Sequence, residues 1–239
     1  QDTNQTLSTK ITPTQDTNQT LSTKITPAQG TNQTTSTKNR THTAVVARNE
    51  VTWQSPSSGN KPIIFADTQD NSGCGGVSNT TGILKVLAKN KIKNAAIAVM
   101  WDPNAAKIAH QNKIGDKITL SIGDGNFTGD FIIKNLTDGN FTGTGDFYKN
   151  MKIKLGLMAL LEYNGIFILV SSAKMQAADQ AVFTHLGIKA QDFSLLVLKS
   201  SVHFRADFSD LASDIILVES NGENIADLNK LEYEFCNLV

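Results

Sequence analysis

Four short apolar runs punctuate the chain: Ile63–Ala66, Ala95–Trp101, Leu195–Leu198 and Ile215–Val218. Each has the length and continuity of a buried strand. Between them apolar residues recur at helical spacing. Ile83, Leu84, Leu87 and Ala88 form one stripe, and Ala105, Ile108 and Ala109, with Asn112, form a second. A third helix is predicted over 177–186, with Ala178, Ala181, Val182, His185 and Leu186 on its apolar side. A fourth carries Phe204, Phe208, Leu211 and Ala212. Ser78 or Asn79 is placed to cap the first helix, Asp102 caps the second, and Gly115 closes it. Strands alternating with helices in this way predict βαβ units and an α/β fold built on a mostly parallel sheet with flanking helices.

The rhythm changes between 117 and 171. Residues 117–122 alternate, DGNFTG occurs at 124–129 and again at 138–143, and Asn164-Gly165 separates LGLMALLEY from IFILVSS. Asp-Gly and Asn-Gly between apolar runs signal tight hairpins. The second DGNFTG and the Asn164-Gly165 pair are each read as such a turn, and the whole stretch as an antiparallel β-meander inserted in the α/β frame.

The first forty-two residues are three copies of a 14-residue unit rich in Thr, Gln, Asn and Ser. They hold too little apolar surface to offset the entropy of ordering, so residues 1–43 read as a disordered tail. Residues 44–60 read as a linker, with one alternating strand over 44–53 and SPSSGNKP after it. A folded domain is expected over 61–239. The chain opens on Gln1 rather than Met, as a trimmed chain or a fragment does.

Composition narrows the classes. The 22 basic and 22 acidic residues cancel, so no global field points to nucleic acid or an anionic membrane. No apolar run reaches the ~18 residues that a membrane span needs, and the polar start is unlike a signal peptide. Cys74 and Cys236 are too few for a disulfide framework or a thiolate zinc site, and read as reduced thiols of a cytoplasmic protein. The four histidines, His42, His110, His185 and His203, form no zinc motif.

Two stretches could carry chemistry. The first strand runs into ADTQDNSGCGGVS, where Asp67, Asp70, Asn71, Ser72, Gly73, Gly75, Gly76 and Ser78 make an acidic, glycine-rich loop before a helix. Such a loop can hold an anion on free N–H groups at a helix start. Two carboxylates with Asn71 also offer oxygen ligands for Mg²⁺ or Ca²⁺. The plainer reading has them cap the loop and the following helix. The second stretch is KSSVHFR, where Lys199, Ser200, Ser201, His203 and Arg205 follow a strand. It suits an anion site or an electrostatic seam to a partner domain, or a basic loop paired with Asp207 and Asp210. A Ser–His pair is present by residue type, without the Gly-x-Ser-x-Gly elbow.

ADTQDNSGCGG with SNTTGILK, WDPNAA with AHQNKIG, DGNFTGTG–YK, SSAKMQAADQAVFTHLGI and KSSVHFRADF together resemble the C-terminal domain of MlrC-type (microcystinase C) metallopeptidases, over about residues 61–220. The resemblance implies a zinc peptidase family that cleaves linearised microcystin peptides. It also implies that the zinc-ligating Asp and His residues belong to a larger N-terminal domain, absent from this sequence. No catalytic or metal-binding residue is therefore assigned to this chain, and no cofactor is expected in it. By resemblance the two loops face a separately encoded catalytic domain and a peptide substrate. Two other readings stand beside this one. In the first, a stand-alone module holds a small anion or peptide carboxylate at 73–78 with Lys199 and Arg205. In the second, the chain is a non-functional remnant.

Overall fold

A computed structural model describes residues 41–44 and 61–225. In chain order the elements begin with β1 (Thr41–Ala44), β2 (Ile63–Asp67), α1 (Gly82–Lys89), β3 (Ala95–Trp101) and α2 (Pro103–His110). The middle of the chain supplies β4 (Lys117–Ile122), β5 (Phe127–Thr137), β6 (Asn140–Thr142), β7 (Lys152–Lys154), β8 (Met158–Tyr163) and β9 (Ile166–Ser171). The last elements are α3 (Ala181–His185), β10 (Leu195–Leu198), α4 (Arg205–Phe208) and β11 (Asp214–Val218).

Nine strands form one sheet in the order β1-β11-β2-β10-β3-β9-β8-β5-β4. The pairs from β1 to β9 are parallel. Those from β9 to β4 are antiparallel. The mostly parallel sheet, the flanking helices and the antiparallel extension agree with the fold class read from the sequence. Strands in the parallel half are apolar throughout because both their faces are covered. Along β2, Phe65 joins the core under α1 and α2, while Ile64 and Ala66 join the core around Val182, Phe183, Phe204 and Phe208. Along β10 the same alternation sends Val197 one way and Leu196 and Leu198 the other. At the antiparallel edge β4 has exposed alternate residues, as a strand covered on one face should.

Four local readings need correction. First, α1 opens at Gly82, not at Ser78 or Asn79, because Ser78 (φ 62°) is bound up in the preceding loop. Second, the second DGNFTG is not a hairpin turn: β5 leaves it paired with β8, and β6 pairs with β7 in a separate two-stranded sheet. The first copy, at 124–129, joins the paired strands β4 and β5. Third, the helix expected over 177–186 forms only at Ala181–His185, since Asp179 turns the chain before it. Fourth, Thr41–Thr43, counted in the tail, lie in β1. The rest of the tail, the linker and the strand expected over 45–53 lie outside the described residues, as do Cys236 and the end of the chain.

The Asn164-Gly165 turn is as expected. Tyr163 faces Ile166 across a two-residue loop, with φ of 50° and 85° at its centre, the left-handed pair that a type I′ turn requires. No helix among the described residues is long and apolar enough to cross a membrane.

Candidate functional site

The loops after β2, β9, β10 and β11 leave the sheet at the carboxyl ends of parallel strands, where open α/β sheets gather their ligands. Both sequence-predicted stretches lie there and meet through one side chain. Lys199, 1% exposed, follows β10 and reaches under the acidic loop. Its Nζ donates to Asp70 Oδ2 at 2.6 Å, Asp67 Oδ2 at 3.1 Å and the Thr80 carbonyl at 3.1 Å. Asp67 Oδ1 accepts from Ser220 Oγ, and Asp70 accepts from the backbone N–H groups of Ser78 and Thr80 and from Thr80 Oγ1. A buried charge has to be compensated in this way, since an isolated one costs several kcal/mol (~3–5 on losing its partner).

This arrangement settles how the glycine-rich loop spends its donors. Gly73 N–H goes to Asn71 Oδ1, Cys74 and Gly76 N–H to the Asn71 carbonyl, Gly75 N–H to the Ser72 carbonyl and Ser72 N–H to Ser78 Oγ. The Ser72 hydroxyl is buried without a partner among the described residues. Asp70 thus sits on the loop's Ser78 and Thr80 N–H groups as an internal anion. Lys199 is turned inward to it, not outward to a ligand.

A second group of side chains lies around this clamp. Asn71 Nδ2 donates to Ser201 Oγ (2.9 Å) and reaches Cys74 Sγ (3.2 Å). Gln176, from the loop after β9, accepts on Oε1 from Ser200 Oγ (3.4 Å) and meets His203 Nδ1 at 3.1 Å. His203 stacks on Phe147, with ring centres 4.1 Å apart and planes at 17°. Gln176 packs where a Cβ on Gly73 would stand, 2.7 Å from its Oε1, so residue 73 must be glycine for the amide to sit there. A cavity of about 570 Å³ opens beside this group, lined by Cys74, Ser201, Val202, Arg205, Leu217 and Glu223 among others. Arg205 stacks on Phe204 and has no ion pair among the described residues.

The expected partners of the basic loop are different from those observed. Lys199 pairs with Asp67 and Asp70, 132 and 129 residues away, and not with Asp207 or Asp210. Asp207 accepts from the Gln180 N–H. Burial pushes its carboxyl above the ordinary range against that hydrogen bond, and Asp179 and Asp146 nearby add to the rise. Burial likewise raises the Tyr148 hydroxyl, with a hydrogen bond from Gln176 opposing it. Gln176, Asp179 and Tyr148 were not singled out from sequence. Asp179 is fully buried and holds Thr144, Gly145 and Ala181 through their N–H groups. The one signal for Gln176 and Asp179 is their place in the SSAKMQAADQAVFTHLGI run that carries the family resemblance, where Asp179 falls in the helix expected over 177–186 and Gln176 just before it.

A family model for the MlrC C-terminus matches residues 65–234. The chain belongs to the MlrC C-terminus family. It is 23% identical over 166 residues to microcystinase C of Sphingomonas sp., a match covering 68% of this chain and 33% of that protein. The chain thus spans about a third of the length of this curated relative. A crystal structure of a candidate metallopeptidase from Mesorhizobium sp. BNC1 has the same fold, with a TM-score of 0.62 and 16% identity over 76% of this chain and 40% of that one. In this MlrC-family domain no group of three or more His, Cys, Asp or Glu among the described residues comes together as a metal-holding set. Asp67 and Asp70 already share Lys199, and a cation beside them would have to displace that ammonium. Among the described residues, Asp67 and Asp70 as placed are spoken for by the ammonium and do not form a zinc-ligand set.

Proposed function

We propose that this domain is the metal-free half of a two-part zinc metallopeptidase of the microcystin-degrading kind. On this reading it supplies part of the wall against which a peptide is held and is not catalytic alone. The zinc and its ligands come from a partner domain, encoded separately or elsewhere in a longer chain. The observation that carries the reading is the Lys199 clamp, in which one buried ammonium is shared by both carboxylates of the acidic loop and occupies the place a metal would take between them. The family match and two exposed apolar residues, Val202 at the cavity and Phe147 against His203, also support it. The test is hydrolysis of a linear peptide with zinc supplied, by this chain alone and after adding the metal-bearing half. The expected outcome is turnover only in the combination. Turnover by the isolated chain would overturn the reading.

A stand-alone carboxylate-binding role is favoured by one observation, Arg205 at an apolar cavity without an ion pair among the described residues. Such a ligand would meet Arg205 and not Lys199 or the loop N–H groups, which are engaged internally.

A further inference from the structure

His203 is held unusually for an exposed histidine. Its ring lies flat on Phe147, and Nδ1 is 3.1 Å from Gln176 Oε1. Gln176 is itself buried, and its Oε1 accepts from the fully buried Ser200 at 3.4 Å. That contact sets which end of the amide faces the imidazole. A carbonyl oxygen can only accept, so in the neutral ring the proton sits on Nδ1. Nε2 is then the bare nitrogen, and it has no partner among the described residues. His203 is outside the cavity lining, but Ser201, Val202 and Arg205, all within two residues of it, belong to that lining. Orienting one imidazole nitrogen with a hydrogen bond in order to present the other is how proteins prepare a histidine for proton transfer.

We propose that His203 is the proton acceptor this domain brings to peptide hydrolysis, with Gln176 as the positioning residue that fixes its tautomer; the role rests on the peptidase reading above. As a water oxygen bonds to the peptide carbonyl carbon, its proton passes to Nε2. The same proton goes to the departing nitrogen when the C–N bond breaks, so the imidazole ends neutral and the products are a carboxylic acid and an amine. Gly73 enters by leaving room for Gln176, which ties the glycine-rich loop to the KSSVHFR segment through the amide rather than through an anion.

Two measurements test this. Two-bond ¹H–¹⁵N spectra of the full chain near pH 8 should show His203 protonated on Nδ1 and bare on Nε2, and Gln176→Met should relax that preference. In the completed enzyme, His203→Ala should lower kcat by about 100-fold or more with KM changed less than about twofold, and added imidazole should restore part of the loss. His203→Gln, closer in shape, should lose kcat alike without unfolding. An Nε2-protonated ring, a kcat within about threefold of the parent, or a loss that imidazole does not restore would each overturn the proposal. Absence of hydrolysis by the completed parent enzyme would bring down the peptidase reading, and this role with it. The tautomer result would then still report on the Gln176–His203 contact alone.

Discussion

Lys199 shows how one residue's role depends on what folds around it. In the sequence it stands in a cationic loop beside His203 and Arg205, as a ligand-binding lysine would. In the fold it is 1% exposed and bonded to Asp67, Asp70 and Thr80. Removing it strands two buried carboxylates, so Lys199→Met should cost about 3–5 kcal/mol in urea unfolding, and Lys199→Met with Asp67→Asn should recover part of that. A near-neutral single variant would contradict the clamp. The residue types at this site were legible: Asp67, Asp70, Asn71, Ser200, Ser201 and His203 were all picked out and all lie together. Their partners were not legible, because the pairing spans 129 to 132 residues and only the β2–β10 register brings the ends together.

Elements were read most reliably where local chemistry left no alternative. The continuous apolar strands β2, β3 and β10 and the Asn164-Gly165 turn fall as expected. Gly165→Ala should lower stability by about 1–2 kcal/mol, since its φ of 85° is left-handed, measured by thermal unfolding; an unchanged midpoint would contradict the turn assignment. The repeated DGNFTG misled because its turn signal is identical in both copies, while tertiary pairing differs: β4 follows into β5 at the first, and β5 departs to β8 at the second. Helix α3 was drawn too long because buried Asp179 stands outside it, taking N–H groups from two segments. At its other end His185 stacks on Phe141, its Nε2 buried without a hydrogen bond among the described residues and 4.0 Å from Asp138 Oδ1. Burial holds its pKa below the ordinary value of 6.5, with exposed Asp138 opposing weakly. The native state therefore favours the neutral ring. That contribution to stability is complete above about pH 6.5 and is lost as the pH falls through the lower native value. Chemical denaturation between pH 7.5 and 5 should show this loss, and His185→Phe should flatten it; an equal slope in both proteins would contradict the assignment.

At the scale of the molecule, a sheet whose parallel half is covered on both faces delivers four loops to one end of its strands. The loop after β2 carries the carboxylates, that after β9 the Gln176 amide, that after β10 Lys199 and His203, and that after β11 Ser220 and Glu223. Among the described residues Lys199, Asp67 and Asp70 bond to one another and to neighbouring groups of the chain, which suits a shaped surface more than a self-sufficient centre. With a match to 33% of one relative and 40% of another, the domain corresponds to a part of those proteins. The most direct measurement of the central claim is the zinc content of the purified chain after dialysis against metal. Far less than one zinc per chain is expected, unchanged when Asp67 or Asp70 is replaced by Asn. One tightly held zinc per chain, lost in either variant, would contradict it.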